Sequence, residues 1–140
     1  MTAAPSGAAG YSGTPLPRKL DIKAGHRVLV ERAPEGFALA PLPEGVVVQT
    51  RAGAGPYDIV LTFCADRARL DERFEPLVAR LTTAGGLWVA WPKKASGVPT
   101  DLTEDVVRGT ALDAGLVDVK ICAVDATWSG LKIVRRLKDR

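Results

Sequence analysis

The sequence predicts an α/β domain in three layers, with a mostly parallel sheet of about six strands closed by a C-terminal antiparallel hairpin. Three observations predict it. Four short runs are near-continuous Val, Ile and Leu, the mark of parallel strands covered on both faces. Segments with helical spacing of apolar residues accompany them. The chain then ends on an alternating run, a short Ser-Gly connection and another apolar run, which together read as a hairpin.

Residues 1–10 are mostly Ala, Gly, Ser and Pro and are expected to form a disordered tail, leaving 11–140 as a single domain. Ser12 or Thr14 can cap a short helix from Thr14 to Leu20, in which Pro17 is tolerated only in the first turn. His26–Glu31, Val46–Thr50, Tyr57–Cys64 and Gly86–Trp91 are the four expected buried strands. Leu70, Phe74, Leu77 and Leu81 fall on one helical face, and Pro76 among them implies a kink or a late helix start. A second helix is expected from Leu102 to Ala114. Asp101 would cap it with Glu104 in a capping box, and Gly115 would be its left-handed stop. Val117–Asp125 and Leu131–Leu137 form the hairpin, with the turn expected near Ser129 and Gly130. A mostly parallel sheet with its last strand inserted antiparallel near one edge resembles the class I methyltransferase variant of the Rossmann-like fold.

At 140 residues, 46% apolar and 25% charged, the chain can bury one sizeable core. A net charge of +3 is too mild and too evenly spread to imply nucleic-acid binding. No apolar run approaches the roughly 20 residues that span a bilayer. The N-terminus lacks the basic-then-apolar order of a secretory leader, so a cytoplasmic location is expected, with no membrane partner. Cys64 and Cys122 are then free thiols. One histidine, cysteines without ligand spacing and no carboxylate loop give no metal site.

In open α/β sheets, ligands bind beyond the C-terminal ends of the strands, where strand order reverses. That rule selects Glu31 and Gly36 after the first strand, Cys64 and Asp66 after the third, and Lys93 and Lys94 after the fourth as candidate ligand-binding residues. The first loop, "ERAPEGFA", holds one glycine where a dinucleotide loop needs several, so that backbone can approach the cofactor. Methyltransferases of this fold use a similar acidic, glycine-rich loop. Glu31 matches its acid, but Arg32, Ala33 and Pro34 depart from it. The second strand ends in Gln49, Thr50 and Arg51, where an acid would hold ribose hydroxyls. No cofactor is therefore expected in the standard pose. Lys93 and Lys94 could hold an anion, helped by Arg51 or Arg67. Cys64 could be activated near a helix N-terminus. His26, the only histidine, begins the first strand at the opposite end of the sheet and cannot serve Cys64 as base, so an inert buried thiol is the better reading. Trp88 and Trp91 sit three apart in one strand and face opposite sides, so at least one packs in the core. The basic "RRLKDR" end reads as a solvated strand terminus.

The segments "YDIVLTFCADRARL", "WPKKASG" and "TWSGLK", with "APEGF" and "PLPEGV", resemble the bacterial domain-of-unknown-function 3052 family over nearly the whole chain. The resemblance implies the same methyltransferase-like sheet and assigns no catalytic residue. The expected function is a non-catalytic binding or regulatory module with a degenerate cofactor loop, taking an anionic small molecule or a protein partner. The alternatives are a divergent S-adenosylmethionine-dependent methyltransferase-like enzyme and, less favoured, a thiol-dependent enzyme centred on Cys64.

Overall fold

Period-two alternation along the central strands sorts their side chains onto two covered faces, and this builds the core. The structure, a computed structural model, describes residues 13–140. The expected tail over residues 1–10 and the Ser12 cap lie outside the described residues. The elements run α1 (Leu16–Lys19), β1 (Arg27–Glu31), β2 (Val47–Gln49), β3 (Tyr57–Phe63), α2 (Arg67–Val78), β4 (Leu81–Pro92), α3 (Glu104–Asp113), β5 (Leu116–Ala123) and β6 (Trp128–Arg135). One six-stranded sheet has the order β2-β1-β3-β4-β6-β5. The first four strands are mutually parallel, and β6 inserts antiparallel between β4 and β5.

Leu29, Val60, Leu87, Val89 and Trp91 point to the face covered by α2 and α3. Val28, Val30, Ile59, Leu61, Phe63 and Trp88 point to the other. Trp88 and Trp91 do face opposite sides, and both are buried. Among the described residues, the second face has no long helix. It is closed by α1, by Leu20 and Ile22, and by Phe37 and Leu39 of the β1–β2 connection. That connection contains Pro34, Pro41 and Pro43, with Gly36 and Gly45 at positive φ, a composition that cannot hold a helix.

Several local expectations need correction. The cap of α1 is Pro15, which makes no side-chain cap bond. β2 is not buried on both faces: it is an edge strand with Val47 exposed. α2 starts at Arg67 and continues through Pro76, while Leu81 begins β4. β4 extends five residues earlier than expected, with an irregular register against β3. α3 is capped by Thr103, whose hydroxyl accepts from Val106 N at 3.2 Å, whereas Asp101 accepts from Arg67 N at 2.7 Å. Asp101 thus serves the first turn of the neighbouring helix, because Leu102 is drawn into the core and α3 begins later. The hairpin turn lies at Asp125–Thr127, not at Ser129 and Gly130, which pair inside β6. One Asp125 oxygen accepts from both Thr127 N and Trp128 N at 2.8 Å, a side-chain turn that replaces a glycine turn. Gly115 does stop α3 in the left-handed conformation, at φ 81°.

Candidate functional site

The reversal of strand order between β1 and β3 brings Glu31, Thr62 and Cys64 together on the α2 face. Glu31 closes β1 and is 6% exposed. An isolated carboxylate at such depth is costly, so it needs partners. Thr62 Oγ1 donates to Glu31 Oε1 at 3.0 Å. Arg73, one turn along α2 from buried Leu70, donates from Nε to Oε1 at 2.9 Å and from Nη2 to Oε2 at 3.1 Å. This fork is the strong bidentate geometry of guanidinium and carboxylate. The Glu31 hydrogen bonds hold the Arg73 guanidinium above its ordinary value. Both oxygens of the strand-end acid are therefore engaged within the fold.

On the opposite face, Phe37 packs edge-on to Phe63 with ring centroids 5.1 Å apart, and Phe63 packs edge-on to Trp128 at the same separation. Phe63 ends β3 and Trp128 begins β6, so this aromatic row runs along the C-terminal edge of the sheet. The residue after Gly36 is thus folded onto the sheet. Gly36 itself lies in an exposed turn at φ 83° with open space where a side chain would stand. Arg32 takes the first position after β1 in a left-handed conformation, φ 64°, that a glycine adopts without strain. At the β2 end, Gln49 Oε1 accepts the Tyr57 hydroxyl at 2.6 Å, and no carboxylate stands there.

Cys64 is fully buried, which removes it from ligand contact at the mouth. Burial pushes its thiol up from 9.0 to about 11, outweighing the Thr62 hydrogen bond and the Arg69 charge that act the other way. The α2 N-terminus does not activate it: Asp66 accepts from Arg69 N at 2.9 Å and Asp101 from Arg67 N, so carboxylates already fill that positive end. His26, half-buried at the N-terminal end of β1, accepts from Lys23 N through Nδ1. Because the Cys64 thiol is held protonated in the folded state, its stabilising contribution is full below pH 9 and is lost as pH rises through about 11. Urea denaturation across that window should show Cys64→Ala losing less stability than the parent, by about 2 kcal/mol. Parallel pH profiles would contradict this.

Lys93 and Lys94 follow the C-terminal end of β4, which β3 separates from the strand of Glu31. They rim a cleft of about 600 Å³ between the β4 end, the start of α3 and the β5–β6 hairpin, with Trp91, Leu102 and Ile121 among its walls. Of the candidates, the structure thus joins Glu31 and Cys64 around Thr62, leaves Asp66 as a helix cap, and sends the two lysines to a different cleft. Sequence reasoning missed Arg73, Thr62 and Phe37. The spacing of Arg73 from Leu70 was the available signal, since it puts a cation beside the buried face of α2.

No family model matches the chain, and no curated protein matches it in sequence. Among solved structures it is similar to a SAM-dependent methyltransferase from Aquifex aeolicus, with a TM-score of 0.55 at 12% identity, over 83% of this chain and 85% of that one. It is also similar to the magnesium protoporphyrin IX methyltransferase from Synechocystis PCC 6803 with bound SAM, with a TM-score of 0.51 at 12% identity, over 86% of this chain and 74% of that one. The fold is therefore methyltransferase-like and Rossmann-like, with a six-stranded, mostly parallel sheet. At the β1 end the acid is paired with Arg73, and Gly36 is the one glycine of the loop that, in the enzymes of this fold, meets S-adenosylmethionine (SAM). Among the described residues, no helix is long and apolar enough to cross a membrane.

Proposed function

We propose that this domain is a non-catalytic binding or regulatory module on a methyltransferase-like scaffold, of the kind its resemblance to the domain-of-unknown-function 3052 family suggests. The observation that carries this reading is the closed environment of Glu31. Its carboxylate faces Arg73 and Thr62 inside the fold, and Phe37 covers the other side of the same strand ends. A ligand seated there would have to displace a buried ion pair, whose separation leaves a charge without a partner. The domain's ligand or partner is then held elsewhere on its surface. A divergent SAM-dependent methyltransferase is the second reading, and the likeness in fold to two such enzymes favours it. A thiol enzyme is disfavoured by the enclosure of Cys64.

Calorimetric titration with SAM separates the first two. The module reading expects no saturable heat in the micromolar range. A dissociation constant at or below about 10 μM, roughly −7 kcal/mol, would establish a working cofactor site and replace it with the second reading.

A further inference from the structure

We infer that the cleft beyond β4 binds an organic anion: an aromatic or branched hydrocarbon body seated on Trp91, Leu102 and Ile121, with a phosphate or carboxylate held by Lys93 and Lys94. This deepens the reading of the domain as a binding module and names its site and ligand class.

The volume, about 600 Å³, suits a small organic ligand. The walls combine two chemistries. Trp91 and Leu102 form an apolar floor continuous with the core. Ile121 is 48% exposed and Val98 42% exposed, so branched apolar surface faces water in a concave place, where covering it is favourable. The cationic part makes no direct ion pair. Among the described residues, neither Lys93 nor Lys94 has an ion-pair partner. The nearby carboxylates are engaged elsewhere: Asp101 accepts from Arg67 N, and Glu104, itself on the cleft wall, is paired with Arg108. Unpaired positive charge on a concave, partly apolar wall focuses its field on the space within.

The rim is also held in place. Lys93 N donates to Thr127 O at 2.7 Å, tying it to the hairpin turn. Ser96 donates from both N and Oγ to the Lys93 carbonyl, at 3.0 and 2.6 Å, and Gly97 completes the turn at φ 78°. A fixed rim loses little freedom on binding, which favours affinity.

The test titrates the full chain, at low ionic strength, with 1-naphthyl phosphate, inorganic phosphate and neutral 1-naphthalenemethanol. The aryl phosphate should bind at least about tenfold more tightly than either fragment. Its chemical-shift changes should centre on the Trp91 indole and the Gly97 amide in the parent. Lys93→Ala with Lys94→Ala, and separately Ile121→Glu, should each weaken it by about tenfold or more while keeping the parent melting temperature. Equal binding of inorganic phosphate, shifts centred elsewhere, or folded variants that bind like the parent would overturn the assignment. The SAM titration concerns the β1–β3 crevice, so either result can fail while the other stands.

Discussion

Replacing Arg73 with alanine should destabilise the fold by about 3 kcal/mol in urea denaturation at neutral pH. Arg73 is the only guanidinium bonded to Glu31 among the described residues, and Glu31 is 6% exposed. Removing the cation leaves an ionised carboxylate with one hydroxyl partner, Thr62. Water enters partly, since the Arg73 side chain is 20% exposed, which keeps the loss at the lower end for a broken buried pair. Arg73→Lys should recover only part, because an ammonium cannot span both oxygens. Arg73→Met combined with Glu31→Leu should recover most, because it removes the charge that the single substitution strands. If Arg73→Ala stays within about 0.5 kcal/mol of the parent, the pair does not close the crevice.

Trp88→Ala should cost about 4 kcal/mol and lower the melting temperature by about 12 °C. Trp88 is fully buried in β4, beneath the segment that follows α1. Its Nε1 donates to the Leu20 carbonyl at 3.0 Å, so the ring both fills the second face and pins the cover laid over it. A methyl group added at Gly130 would approach the Trp88 ring at 3.3 Å, which shows how closely β6 passes it. Alanine leaves a large cavity and an unpaired carbonyl together. Trp88→Phe keeps most of the volume and should cost about 2 kcal/mol, mainly through that carbonyl. A Trp88→Ala variant melting within a few degrees of the parent would mean that this face is not a packed layer.

The sheet was legible because its strands are continuous Val, Ile and Leu, and because the last pair changes to alternation. The edge position of β2 was not, since "VVVQT" has the composition of a central strand and only the partners of β1 place it outside. The sequence does not distinguish the α3 cap, because Asp101 and Thr103 both precede acceptable first turns and burial of Leu102 decides between them. The Ser-Gly pair is the stronger turn signal in the sequence, whereas one Asp125 carboxylate satisfies two backbone amides earlier in the chain. At the site, the missing glycines could be read directly. The partner of Glu31 could not, because Arg73 is 42 residues away and only the packing of α2 on the sheet joins them.

On the proposed reading, the β1–β3 crevice is closed by the chain's own side chains. The most direct test is a nitrogen-edited NMR titration of the full chain with SAM, following the backbone amides of Glu31–Gly36 and Gln49–Arg51. The closed crevice predicts that these amides keep their positions up to about 1 mM ligand, a concentration that would reveal binding weaker than −5 kcal/mol or so. Saturable shifts centred on Arg32 and Gly36, with a dissociation constant near or below about 10 μM, would contradict it and make the crevice a cofactor site.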